Sequence, residues 1–192
     1  PRLVEGNLLQ PLEGVWTASD RADFYPPVIE AVTFNNHIYG LWFYNAWRGL
    51  YYDTAFLKEI GVPKPPANWI EFAEFAKAAK KAKTSAVMYP GSSNEATALH
   101  LISMYWGLGG GLVDATGKPN FFEGKNREAM EKVYGLYREM VTSGAMPQSV
   151  ATLDENGIRP FFYTRETALV AQSSSSVSQI LSDQPELKGR VG

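Results

Sequence analysis

Residues 44–48 read Tyr-Asn-Ala-Trp-Arg, which places two aromatic faces, an amide and a guanidinium within five positions. Rings of this kind stack on the flat apolar face of a small molecule, while the amide and guanidinium hydrogen-bond its oxygens. The chemistry they suit is non-covalent recognition. Aromatic residues make up 13% of the chain, with five Trp and ten Tyr, a surplus that fits a stacking surface in addition to a core. Two polar clusters offer further donors. Ser173-Ser174-Ser175-Ser176 follows the apolar run Thr167–Ala171 and precedes Val177–Leu181, and Ser92-Ser93-Asn94 follows Ala86–Tyr89 and Pro90-Gly91. A strand, a polar loop and a helix start in that order present hydroxyls and unpaired backbone amides together.

Catalytic and metal chemistry find less support. The two histidines are His37, in a polar turn, and His100, at mid-helix, and neither stands in a metal-ligand or nucleophile pattern. Asp53, Glu71 and Glu95 all fall where helix caps or first turns need a carboxylate. With no cysteine there is no disulfide and no thiolate metal site. No cofactor or metal is expected. The glycines of Gly107–Gly111 lack both a preceding strand and a Lys-Ser/Thr ending, so they read as a helix stop and not as a phosphate loop. A net charge of -2 provides no basic stripe for nucleic acid, and no apolar run is long enough to cross a bilayer.

Local patterns predict the elements that must position these groups. Residues 1–36, broken by Pro11, Pro26 and Pro27, read as short helical or irregular pieces around Trp16. Ile38–Tyr44 and Gly49–Tyr52 read as extended segments flanking the bend. Asp53 and Thr54 open a short helix that Gly61 closes. Asn68, with Glu71 reaching back, caps a helix from Trp69 to about Lys83 whose inner face carries Trp69, Phe72, Ala73, Ala76 and Ala79. Ala86–Tyr89 is a strand, and Asn94 caps a helix carrying Leu99, Ile102 and Trp106. A helix from about Arg127 to Ser143 packs through Met130, Val133, Tyr134, Tyr137 and Val141, and Gly144 stops it. Leu153–Phe162 reads as a helix and Thr167–Ala171 as a buried strand. Strands alternating with helices give an α/β layer.

Two blocks in series, Leu50-Tyr51-Tyr52-Asp53-Thr54-Ala55-Phe56-Leu57-Lys58-Glu59-Ile60-Gly61 and Pro66-Ala67-Asn68-Trp69-Ile70-Glu71-Phe72, resemble the family 1 extracellular solute-binding proteins of ABC importers, the group that includes maltose-binding protein. Further matches follow in order: Tyr39-Gly40-Leu41 ahead of the first block, Gly110–Asp114 leading to Gly117-Lys118-Pro119, Ser143-Gly144, and Phe162 ahead of Ala168-Leu169. The resemblance implies an α/β, periplasmic-binding-protein-like fold of type II. By the same analogy the chain is the middle of such a protein. Residues 1–45 would belong to the N-terminal lobe and the hinge crossing, and residues 46–192 to the C-terminal lobe, incomplete relative to the family.

The resemblance also implies a sugar or oligosaccharide held in a cleft between lobes, with Tyr44, Asn45, Trp47 and Arg48 at the hinge bend, Asn94 and Trp106 on one helix, and Ser174 and Ser175 on the serine loop as ligand-binding residues. It implies no enzymatic step, a membrane ABC permease as partner, and a periplasmic or extracellular location, free or lipid-anchored. Pro1–Gly6 has neither the basic segment nor the apolar core of a signal peptide, so location rests on the resemblance. One departure bears on the site: the Trp common in the family on the loop after the Ala-Leu strand is replaced by Ser173–Ser176. Two alternatives keep a binding cleft. Arg48 and the serines suit a charged solute such as an organic acid or phosphate ester, and a carbohydrate-active enzyme would need two facing carboxylates.

Overall fold

The computed structural model describes residues 2–192, and the chain divides into two compact units, the first ending at Asn45 and the second running from Ala46 to Gly192.

The first unit is a set of short pieces: α1 (Arg2–Glu5), α2 (Ala18–Ala22), α3 (Pro26–Ala31), β1 (Thr33–Phe34) and β2 (His37–Ile38). Thr17 and Asp20 form a reciprocal capping box that starts α2, and Pro26 and Pro27 start α3 where their missing amides cost nothing. β1 and β2 are an antiparallel hairpin turned by Asn35 and Asn36, both with positive φ (50° and 63°). That is the conformation a two-residue hairpin turn demands and asparagine tolerates. Trp16 and Ile38 are its buried apolar residues, and Trp16 meets Phe24 edge to face at 4.9 Å. The extended segment expected over Ile38–Tyr44 ends at Ile38, and residues 39–47 have no regular structure. Strand propensity expresses packing against neighbours, and among the described residues no strand pairs with Gly40–Tyr44.

The second unit is built on a three-stranded sheet of β3 (Arg48–Tyr52), β4 (Ser85–Met88) and β5 (Thr167–Ser173), in the order β3-β5-β4. β5 is antiparallel to β3, pairing Arg48 with Ser173 and Tyr52 with Leu169, and parallel to β4. All seven β5 residues are buried, as expected for a central strand covered on both faces. α8 (Glu155–Tyr163) and α9 (Ser176–Asp183) pack on β5, α5 (Trp69–Lys81) on β4, and α6 (Glu95–Gly107) on β3 and on α7 (Gly124–Thr142). α4 (Thr54–Glu59) adds Phe56 and Leu57 to the same core as Val87, Leu169, Ile158 and Ile180.

Helix starts obey their caps. Asn68 Oδ1 accepts from the amides of Ile70 and Glu71, and the Glu71 carboxylate reaches back to the Ala67 amide and the Asn68 side chain. The inner faces differ in detail from the sequence expectation. On α5 the buried residues are Phe75 and Ala79, flanked by Phe72 and Ala76, while Trp69 and Ala73 face outward. On α6 they are His100 and Tyr105, with Trp106 exposed. On α7, Met140 lies inward and Tyr134 outward. Each apolar stripe is rotated slightly because the element it packs against, and not the helix's own apolar pattern alone, selects the face.

Candidate functional site

The β3–β5 ladder continues one residue beyond its last strand pair. The Ser174 amide donates to the Trp47 carbonyl at 2.9 Å, and the Trp47 amide donates to Ser174 Oγ at 3.3 Å. Two sequence-selected residues 127 positions apart are thereby fixed side by side. The Trp47 indole is 65% exposed. It lies over Gly49, where a Cβ would come within 2.8 Å of ring atom Cζ3. Only glycine leaves room for the indole to rest on that backbone, and the result is an exposed aromatic platform beside a serine hydroxyl.

Arg48 begins the strand below that platform. Its Nε lies 3.2 Å from Glu155 Oε1, an ion-pair distance without hydrogen-bond geometry, so that among the described residues this buried Nε has no hydrogen-bond acceptor, and both side chains are largely buried. The same carboxylate oxygen bonds His100 Nε2 at 2.8 Å, and the His100 ring is almost fully buried. Burial pushes the Glu155 carboxyl up. The His100 bond and the charges of His100, Arg48 and Arg159 outweigh that push and hold it below the usual carboxylate range. The backbone joins in: Gln172 Nε2 of the central strand donates to the Glu155 carbonyl at 2.7 Å, while Arg159 Nε donates to Gln172 Oε1 at 3.2 Å. Glu155 thus ties together β3, α6 and β5. A cavity of about 240 Å³ lies alongside, lined by Arg48, Gly49, Tyr89, His100 and Ser103 among others. Tyr89 meets the His100 ring edge to face, and burial pushes its hydroxyl up to about 12.

The remaining sequence-selected residues are differently placed. Asn94 is exposed, its Oδ1 accepting from the Thr97 amide at 3.0 Å and its Nδ2 donating to Ser92 Oγ at 2.9 Å, the work of a helix cap. Ser175 Oγ pairs with Ser173 Oγ at 2.9 Å, and Ser175 is exposed at the start of α9. Trp106 is exposed near the far end of α6; twelve residues at the helical rise put it about 18 Å from Asn94 along the axis. In the first unit, Tyr44 is exposed and tilted against Phe43 at 4.7 Å, and Asn45 Oδ1 accepts from Trp42 Nε1 at 2.8 Å.

Nothing in the sequence marks Gly49, Tyr89, Glu155 or Gln172 as site residues. Glu155 stands in the first turn of α8, and its convergence with Arg48 and His100 is a property of the tertiary fold. Among the described residues no three His, Cys, Asp or Glu side chains gather as a metal site would require.

Solved structures share this fold. A solute-binding protein of Thermotoga lettingae with bound α-D-tagatose superimposes with a TM-score of 0.82 at 22% identity, over 100% of this chain and 50% of its own. A maltose-bound T. maritima protein gives 0.80 at 22%, over 96% and 46%. An Agrobacterium vitis solute-binding protein with D-mannitol gives 0.73 at 21%, over 100% and 46%. These likenesses establish a type II periplasmic-binding fold, of which the chain covers about half. In sequence, a Brucella abortus protein described as a "putative binding protein" is 22% identical over 96% of this chain and 44% of its own length. A Deinococcus radiodurans protein described as a "probable ABC transporter-binding protein" is 23% identical over 100% and 46%. The chain therefore spans a little under half the length of these relatives. The profile of bacterial extracellular solute-binding proteins matches residues 1–191, and on that match the chain belongs to the bacterial extracellular solute-binding protein family.

Proposed function

We propose that the chain is part of the solute-binding component of an ABC importer that captures a neutral sugar or polyol in a cleft between two lobes and presents it to a membrane permease. The first unit is read as part of the N-terminal lobe with the hinge crossing, and the second as most of the C-terminal lobe. The protein works outside the cytoplasmic membrane and carries out no chemical step. Family membership supports the transport role, and the sugars and polyols bound by structurally similar proteins support the ligand class.

The observation that carries the reading is the Trp47 platform, exposed and held beside the Ser174 hydroxyl. An indole face and a hydroxyl are the complement of a carbohydrate's apolar C–H face and its hydroxyl edge. The alternative of an anionic solute held by Arg48 is weakened because that guanidinium already has a carboxylate beside it.

Thermal unfolding of the complete two-lobed protein against neutral sugars, polyols, sugar acids, polyamines and amino acids tests the proposal. A ligand at about a hundred times its Kd adds about 2.7 kcal/mol of stability, enough to raise the midpoint by several degrees. A selective response to a sugar or polyol is expected. A response confined to charged solutes overturns the ligand class, and turnover of a glycoside overturns the absence of chemistry.

A further inference from the structure

Among the described residues Arg48 is the one guanidinium lining the cavity beside Glu155, and Gly49, against which the Trp47 ring rests, lines it as well. The cavity volume of about 240 Å³ is that of roughly eight waters, below the usual range of whole ligand pockets and of the size of a subsite. An unpaired arginine there would select carboxylates and phosphates through charge-assisted hydrogen bonds. The structure instead sets Glu155 against it. Among the described residues Glu155 is the one carboxylate within ion-pair distance of Arg48. Its position is fixed from two other directions, by the buried His100 ring on α6 and by Gln172 on the central strand. The neighbouring cation Arg159 is directed to the side-chain oxygens of Gln172 and Asn156.

We infer that Glu155 determines specificity at this subsite, holding the Arg48 charge so that anionic solutes are refused and uncharged ones accepted. This rests on the binding-protein reading above but names a residue and a selection rule that the reading does not contain. The acceptance of a neutral solute then comes from the Trp47 face and from hydroxyls such as Ser103, while the refusal of an anion comes from a carboxylate lying within reach of any group that approaches Arg48.

The test compares wild type, Glu155→Gln and the double variant R48Q/E155Q of the complete protein. In the first arm, thermal midpoints are followed through titrations of sodium sulfate against sodium chloride at matched ionic strength. E155Q is expected to show a saturable sulfate-specific rise that wild type and R48Q/E155Q lack. In the second arm, calorimetry measures Kd for matched neutral and acidic sugars, glucose with glucuronate and galactose with galacturonate. E155Q is expected to move the neutral-to-acid ratio at least about tenfold toward the acid, the size of one charge-assisted contact. The ratio cancels any general loss of stability. If E155Q folds poorly, Glu155→Asp, which withdraws the carboxylate by one methylene, is expected to show a smaller rise in the same direction. An E155Q sulfate response identical to wild type overturns the inference. Absence of binding to every sugar pair overturns the sugar reading alone, because the sulfate arm still decides the role of Glu155.

Discussion

The loop between β4 and α6 supplies the sharpest structural prediction. Gly91 sits where a Cβ would lie 2.7 Å from the Val150 carbonyl oxygen, 3.0 Å from its carbon and 3.1 Å from Ala151 Cα. All three are backbone atoms, so no side chain can swing aside. The loop cannot easily retreat either, because the amides of Gly91 and Ser92 both donate to the Leu153 carbonyl, at 3.0 and 3.1 Å. Gly91→Ala therefore forces a shift of about half an ångström against two hydrogen bonds, an overpacking cost of about 1–3 kcal/mol. For a chain of this size that lowers the thermal midpoint by roughly 2–12 °C. The natural control is Gly135→Ala, in the middle of the nineteen-residue α7, where a Cβ meets nothing within 4 Å. There the gain in helix propensity should stabilise by about 0.5–1 kcal/mol. Urea unfolding of the two variants beside wild type should give shifts of opposite sign. A Gly91→Ala midpoint equal to wild type would refute the reasoning, since it would mean that the two backbone segments do not pack as described.

Further expectations follow from the same contacts. Gly49→Ala should lift the indole of Trp47 off the strand and weaken ligand binding more than stability, to be read by calorimetry beside thermal unfolding; equal ligand affinity would remove the platform from the site. Tyr137→Phe deletes a buried hydroxyl that has no hydrogen-bond partner among the described residues, so it should leave stability unchanged or raise it by up to about 1 kcal/mol, checked by urea unfolding. Glu155 titrates below the ordinary carboxylate value in the folded protein, so its contribution is present above the unfolded pKa of about 4.3 and is lost as pH falls through the lower folded value. Unfolding midpoints of E155Q should accordingly fall less steeply below about pH 4 than those of wild type; parallel curves would refute the coupling.

Local signals were legible wherever one short segment held the whole cause. Asn68, Asn94 and Asp53 mark helix starts because a cap needs only its own next few amides. Thr167–Ala171 reads as a buried strand from composition alone, and the strand in fact runs on to Ser173. What escaped was decided elsewhere in the chain. Gly40–Tyr44 has strand-forming residues and, among the described residues, no partner strand. Phe75, not Ala73, turns inward on α5 because β4 selects the face. In the site, the sequence marks Trp47 and Ser174 in unconnected segments, and only the ladder between β3 and β5 puts them in contact. Glu155 gave no signal, since its partner His100 lies 55 positions away and no local pattern connects them.

The central strand also sets a clock for folding. β3 forms its ladder with β5, and the Tyr51 hydroxyl bond to the Ser173 carbonyl spans 122 positions. During synthesis at about 5–20 residues per second, β3 waits roughly 6–25 s for the partner that completes the sheet. Through that interval α4 and α5 can form locally, but Leu57, Phe75 and Val87 lack the wall that will bury them. The aromatic run Leu41–Trp47 is then doubly exposed, apolar and without a partner strand. Apolar surface and unpaired strand edges exposed in this way are what makes a partly synthesised chain prone to aggregate. Pairing at so long a sequence separation is also slow, because the loop must close before the contacts that reward it can form.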